Sequence, residues 1–307
     1  MSGSRMLTVG FVAVFMGMTG CSDDQKNTDS GGSNGQKTSQ QQPSTTSQEP
    51  EPVDMSFPTD KDPPILPEAA AQTAISGVGD KNRFMVKLFE DRIPTAQPTS
   101  NQVIAQATWS GYTLELVSGD ITKEAGATDK VSIIQNAANG SLAGGGGVDG
   151  AIKKAAGDTP YAPNGDAGVY LKGQNKTSVP TGSVVMTVSG NLKSQQVDYI
   201  AHTVGPNCGS GDEHEKNLMI ASKGVLVKSD KMGERHKKEV HVSQVPVSAG
   251  IFGCPVEKTA EIQMQVAVAH MDKGEGRVKT VRLVVMDVGG EQKTLKSYVK
   301  VFKSLFK

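Results

Sequence analysis

Residues Ile133 to Gly157 read I-I-Q-N-A-A-N-G-S-L-A-G-G-G-G-V-D-G-A-I-K-K-A-A-G. The run Val131 to Ile134, rich in β-branched residues, is of the kind that fills a buried strand, and it follows the polar break Thr128-Asp129-Lys130. Asn136 and Asn139 fall where that strand ends. Asparagine tolerates unusual backbone angles and carries both a donor and an acceptor, so it can shape the loop or grip ribose hydroxyls. Gly144 to Gly147 remove every Cβ from the loop, so backbone N–H groups can approach an anionic ligand closely. From Val148 the pattern turns helical, with Gly157 as its C-cap, and the glycine loop feeds a helix N-terminus whose dipole favours phosphate. A glycine run alone reads as a flexible linker, but a strand before it and a helix after it leave little room for one. The Gly-Lys-Ser/Thr of a Walker A loop is absent. The stretch describes a site for a phosphate-bearing, sugar-bearing ligand.

The blocks N-A-A-N, G-G-G-G-V-D-G-A-I and A-A-G, in this order and spacing, resemble the macro domain. Further blocks carry the resemblance along the chain: Gly119-Asp120-Ile121-Thr122, Val179-Pro180-Thr181-Gly182, Tyr199 to Pro206 (Y-I-A-H-T-V-G-P), Ser248 to Pro255 (S-A-G-I-F-G-C-P) and Arg277 to Asp287. The similarity is strongest to the MacroD-type branch. It implies an α/β fold over residues 102–307, a three-layer α/β/α domain with a mixed central sheet. It also implies ADP-ribose, or an ADP-ribosylated protein or metabolite, as the partner, with no cofactor and no metal. The residue pattern agrees independently. Thr113 to Val117, Val240 to Val247 and Thr280 to Met286 read as strands, and Glu257 to Ala269 and Gln292 to Phe306 as helices. In such sheets ligands sit at the carboxyl ends of the strands.

The resemblance assigns roles residue by residue. Asp120, with Ile121 beside it, would accept a hydrogen bond from adenine's exocyclic amine; it also suits a helix N-cap. Asn139 would hold the distal ribose, or else shape its loop. Gly146, Gly147 and Val148 would line the diphosphate. Asp149 would polarise a water near the distal ribose, and as a first-turn acid it also suits the helix dipole. Ser248, Ala249, Gly250, Ile251 and Phe252 would form a second phosphate loop, with the Phe252 ring near the distal ribose or simply in the core. The catalytic pair implied is Asn139 and Asp149. Three functions remain: hydrolysis of ADP-ribosyl esters, non-catalytic reading of ADP-ribose, or an interaction protein with an inactive pocket.

The chain also departs from the family. Lys153 stands where MacroD-type members usually carry histidine, which bears on the water network and on the aspartate's pKa. Pro160 to Thr177, with Pro163, Gly165, Gly168 and Gly173, reads as a loop rather than the family's helix. Cys254 replaces a usual aromatic and Cys208 follows the T-V-G-P strand, so the two form a disulfide or remain unpaired thiols.

Lys+Arg and Asp+Glu number 32 each in 307 residues, so there is no electrostatic footprint for nucleic acid, and the expected assembly is a monomer. His214, in G-D-E-H-E-K, reads as a solvated loop residue and His202 as an internally hydrogen-bonded core residue. At the N-terminus, Met1 to Arg5 is short and positive and Met6 to Met18 is apolar. The Thr19-Gly20-Cys21 that follows resembles a bacterial lipobox. Residues 1–20 read as a signal peptide, Cys21 as the lipidated residue anchoring the chain to a membrane, and Ser22 as favouring the outer membrane of the cell envelope. Residues 21–66 are too polar to bury a core and read as a disordered tether. Residues 67–101 carry no recognisable motif.

Overall fold

The computed structural model describes residues 77–94, 99–209, 213–287 and 291–307; the leader, Cys21 and the tether lie outside them. Eight strands form one mixed sheet: β1 (Met85–Leu88), β2 (Gln102–Trp109), β3 (Tyr112–Ser118), β4 (Val131–Ala137), β5 (Val184–Val188), β6 (Tyr199–Thr203), β7 (Val240–Gln244) and β8 (Val278–Val285). Their order is β1-β2-β3-β8-β7-β4-β6-β5. The five central strands β3, β8, β7, β4 and β6 run parallel, β2 on one flank and β5 on the other run against them, and β1 pairs antiparallel with β2. The strands' alternation splits the core between two faces. Ile133, Leu116, Val242 and Leu283 pack under helices α3 (His214–His236), α4 (Val256–Met271) and α5 (Lys293–Phe306). Ile134, Val117, Ile200 and Val284 pack on the opposite face with α1 (Gly147–Ala156), and Val185 packs there with α2 (Asp166–Gly173). Helices thus cover both faces, giving the three layers.

Parallel strands buried on both sides need continuous apolar runs, which is why V-S-I-I in β4 and V-R-L-V-V in β8 read so plainly. Helix α1 buries Asp149, Ile152 and Ala156, spaced along one stripe. An acid stands where that stripe calls for an apolar side chain.

Three expectations are corrected. Asp166–Gly173 is helical inside the stretch read as a loop, and its Gly168 is required because a Cβ there would lie 2.0 Å from the Pro163 carbonyl oxygen. His214 opens the long helix α3 rather than sitting in a loop. Helix α3 shows no clear apolar period in sequence, because its buried face mixes Leu218 and Leu226 with Ser222, Gly224, Ser229 and Gly233. Strand β7 ends at Gln244, earlier than Val247.

The segment before residue 102 also belongs to the sheet, since β1 pairs antiparallel with β2. Phe84 is buried there, its ring edge-on to Trp109 and to Phe306, each at 5.0 Å. Arg83 forks onto Asp272 at 2.8 and 2.6 Å, and the Trp109 indole donates to the same carboxylate at 2.8 Å.

Candidate functional site

The carboxyl ends of the parallel strands open into a cleft of about 540 Å³. β3 delivers Asp120 and Ile121, β4 delivers Ala138 and Asn139, β6 delivers Gly205, β7 delivers Val245 to Phe252, and β8 delivers Val284 and Met286. The glycine loop and the first turn of α1 supply Gly145 to Asp149. The fold therefore gathers around one cavity the residues to which the family resemblance assigns a binding or catalytic role: Asp120, Ile121, Asn139, Gly146, Gly147, Val148, Asp149 and Ser248 through Phe252.

At one end, Asp120 Oδ1 accepts from the Thr122 amide at 2.9 Å and from its hydroxyl at 2.7 Å. That is the N-cap geometry the sequence allowed. Asn101 holds the backbone of Asp120 from both sides, accepting from its N–H at 2.8 Å and donating to its carbonyl at 3.1 Å.

At the other end, Asn139 Oδ1 accepts from the Ser141 N–H at 3.1 Å and from its hydroxyl at 2.5 Å, while Nδ2 donates to the Gly144 carbonyl at 3.3 Å. Asn139 thus shapes its loop while lining the cleft. Asp149 is 3 % exposed. Its Oδ1 accepts from Asn136 Nδ2 at 2.7 Å, and its Oδ2 is buried without a hydrogen-bond partner among the described residues. A Cβ on Gly145 would stand 3.0 Å from Asn139 Nδ2 and 3.2 Å from Asp149 Oδ2, so the bare glycine backbone occupies the point where the two side chains converge.

Between the ends lie two loops. Gly147 has φ 62°, a conformation that favours glycine, at the mouth of α1. Opposite it, Ser248 takes a left-handed φ of 63°, and the Gly250, Ile251 and Phe252 amides make no backbone hydrogen bond among the described residues. Ile251 is 82 % exposed, and its Cδ1 comes within 3.6 Å of where a Cβ on Gly146 would stand, arching one loop toward the other. The second loop is tied down at its far end. Cys208 and Cys254 are disulfide-bonded with Cα atoms 4.9 Å apart, the Cys208 N–H donates to the Phe252 carbonyl at 2.8 Å, and the Cys254 N–H donates to the Ser248 carbonyl at 2.9 Å. Of the two states open for these thiols, the structure has the bonded one.

Lys153 does not reach the cleft. Its Nζ donates to the Ala143 carbonyl at 2.7 Å, bracing the glycine loop against α1, with Asp158 at 3.5 Å. Electrostatically, burial pushes the Asp149 carboxyl above its ordinary value, while the Asn136 hydrogen bond, the Lys153 charge and the Asn139 amide oppose that rise. Burial beside Asp149 drives the Tyr161 phenol strongly upward, so it stays protonated. Complete burial pushes His202 down to about 3, leaving it neutral.

Asn136, read as a loop-shaper or ribose ligand, is fully buried and serves the site from behind. Tyr161, in a stretch that reads as a loop, carries no sequence signal for a site; its hydroxyl accepts from Asn136 Nδ2 at 3.3 Å. Val284, Met286 and Thr294 also line the cleft, and only the fold brings them there.

Two amide-rich loops at the strand ends, a carboxylate at one end of the cleft and an asparagine–aspartate pair at the other define an α/β/α protein with a polar ligand cleft at the carboxyl ends of its strands. Residues 135–263 match the family model of the Macro domain. A protein of Archaeoglobus fulgidus named ADP-ribose glycohydrolase is 35 % identical over 212 residues, covering 66 % of this chain and 98 % of its own. O-acetyl-ADP-ribose deacetylase 1 of Pantoea vagans is 34 % identical over 174 residues, covering 57 % and 91 %. The Oceanobacillus iheyensis macrodomain, solved with ADP, aligns at a TM-score of 0.53 and 29 % identity over 67 % of this chain and 98 % of its own. The chain belongs to the macro domain family.

Proposed function

We propose that the cleft binds ADP-ribose and hydrolyses ADP-ribosyl esters, either O-acetyl-ADP-ribose or mono-ADP-ribosylated carboxylates. The observation that carries this reading is the convergence of Asn139 and Asp149 on Gly145, with the unpartnered Asp149 Oδ2 buried at the cleft wall. Adenine sits toward Asp120. The diphosphate lies between the α1 N-terminus and the Gly250 to Phe252 amides, where dipole and donors both favour negative charge. The distal ribose meets Asn139. Asp149, in its carboxylate form, accepts a proton from a water as that water's oxygen attacks the acyl carbon; the acyl–oxygen bond then breaks and the ribose oxygen leaves with a proton. Burial makes the carboxylate a better base than an exposed aspartate, because its pKa is raised.

Relatives named as an ADP-ribose glycohydrolase and an O-acetyl-ADP-ribose deacetylase support the reaction class. The experiment incubates the purified protein with O-acetyl-ADP-ribose and with a mono-ADP-ribosylated protein, and follows free ADP-ribose by chromatography for wild type and Asp149→Ala. Equal release from both would sink the mechanism. Tight ADP-ribose binding without release in wild type would instead make the protein a reader, and absence of binding would leave an interaction protein.

The same proposal places the protein in the cell envelope as a monomer tethered through Cys21. The support is the leader-like sequence Met1 to Cys21, and a disulfide suits an oxidising compartment. Palmitate labelling that is lost in Cys21→Ala tests the anchor; equal labelling of both would refute it.

A further inference from the structure

Asp149 is held by a line of buried hydrogen bonds that the hydrolytic step itself does not use. It starts at the flank of the sheet. Thr187 on β5 donates its hydroxyl hydrogen to the Val188 carbonyl at 3.0 Å, so only lone pairs of Thr187 Oγ1 face His202 Nε2, 2.9 Å away. Nε2 therefore carries the ring hydrogen and Nδ1 keeps its lone pair. Asn136 Nδ2 lies 3.1 Å from that Nδ1 and 2.7 Å from Asp149 Oδ1. The amide's two hydrogens serve the carboxylate and the ring, its shortest contacts, with the Tyr161 hydroxyl a third and longer acceptor at 3.3 Å; all three lie on the Nδ2 side, which fixes which way the amide faces. Tyr161 closes the set. Its ring stands edge-on to His202 with centroids 4.9 Å apart, and its hydroxyl donates to the Asp149 backbone carbonyl at 3.4 Å. Asn136, Thr187 and His202 have no solvent exposure, so no bulk water competes for these bonds.

We infer that His202 is a positioning residue for Asp149: its Nδ1 lone pair orients the Asn136 amide, which pins Asp149 Oδ1 and leaves Oδ2 for the attacking water. This rests on the reading of Asp149 given above. A neutral ring is essential, because an imidazolium would present a hydrogen to Asn136 Nδ2 and break the line. A fully apolar residue at 202 would satisfy packing but would let the amide turn, costing Asp149 the donor that both orients it and favours its charged form. The groups facing Asp149 are Lys153 on its own helix, Tyr161 from the loop after α1, and His202 from β6 through Asn136; Asn139 approaches from the β4 loop.

Two substitutions separate orientation from packing, since both delete the ring. His202→Asn places an amide oxygen where Nδ1 was and keeps the acceptor for Asn136. His202→Gln places its amide nitrogen near the Nε2 position and keeps only the bond to Thr187. Three quantities are read: kcat and KM for ester hydrolysis, the Kd of ADP-ribose by calorimetry, and the titration of the Asp149 carboxyl carbon by NMR. The expected result is a kcat about tenfold or more lower in His202→Gln and less than about threefold lower in His202→Asn, with KM and Kd unchanged in both. The Asp149 titration midpoint moves upward in His202→Gln alone. Equal losses in the two variants, or an unmoved midpoint in His202→Gln, would overturn the inference and leave His202 as core packing. A wild type without turnover whose midpoint still moves in His202→Gln would remove the hydrolytic reading and leave the positioning line standing. If loss of the ring prevents folding, ring ¹⁵N shifts of the wild-type protein serve in its place. An unprotonated Nδ1 is expected, and a protonated Nδ1 refutes the inference, because it cannot accept from Asn136.

Discussion

A carboxylate in the apolar stripe of a short helix opposes folding, and Asp149 is such a group. Its folded-state pKa is raised, chiefly by burial, so its protonated form suits the fold and its contribution to stability is lost as pH rises through that raised value. At neutral pH the charge is a net cost. Asp149→Asn keeps an oxygen to accept from Asn136 and removes the charge. The variant is therefore expected to melt above wild type at pH 7, with the gap closing below the ordinary aspartate value of 3.8. Hydrolysis in the same variant is expected to fall on the order of 10²–10⁴-fold, the usual worth of a general base. Calorimetric melts at two pH values and one rate assay check both. Lys153 acts in the opposite sense, because its ammonium lowers the Asp149 pKa. Lys153→Met should move the acid limb of the pH–rate profile toward higher pH, and a profile that stays in place would show that the charge does not reach the carboxylate. Asp149 and Asn139 were legible in the sequence, since a glycine loop opening a helix makes any polar neighbour conspicuous. His202 and Tyr161 were not legible as partners, because the sheet joins β4 to β6 across more than sixty residues of chain and no local pattern encodes that pairing.

At the level of elements, the cleft is made by two loops of different rigidity. The glycine loop is braced by Lys153 and by Asn139, both close in sequence, and its strand–loop–helix frame could be read directly from periodicity. The second loop carries strained backbone at Ser248, with its exit fastened to β6's continuation by the Cys208–Cys254 bond. Ordering that loop before binding spares the ligand the conformational cost of doing so. Reduction, or Cys208→Ser with Cys254→Ser, should therefore weaken ADP-ribose binding on the order of tenfold while leaving kcat at saturating substrate near the wild-type value. Titration calorimetry with and without reductant decides it; identical Kd values would mean that the two backbone hydrogen bonds alone set the loop. The helices that sequence patterning missed, α2 and α3, share a cause. Each buries glycine where a neighbour comes close, Gly168 against the Pro163 backbone and Gly233 against the Val240 side chain and the Lys238 carbonyl, and such positions carry no apolar signal.

For the whole molecule, the open question from sequence was where the domain begins. Residues before 102 show no motif; R-F-M-V-K-L-F-E-D reads there as a short element of no assignable role, because the four residues M-V-K-L that form β1 are too few to fix its type. The structure nevertheless adds Met85–Leu88 to the sheet and anchors it through Phe84. Two forces compete to explain the anchoring. The Arg83–Asp272 pair is a third exposed on each side and belongs with surface ion pairs worth ~0–1 kcal/mol. Phe84 is 7 % exposed and packs on Trp109 and Phe306, and truncating a buried phenylalanine costs about 3–5 kcal/mol. Burial should dominate. In the full-length protein, Phe84→Ala is expected to lower Tm by roughly 6–12 °C, taking about 3 kcal/mol and the 2–4 °C per kcal/mol usual for a domain of this size. Arg83→Ala should lower it far less, and Met85→Ala, at 71 % exposure one residue on, should leave it unchanged. A Phe84→Ala melt indistinguishable from Met85→Ala would mean that β1 lies against the domain without supporting it, and would return the domain's start to residue 102.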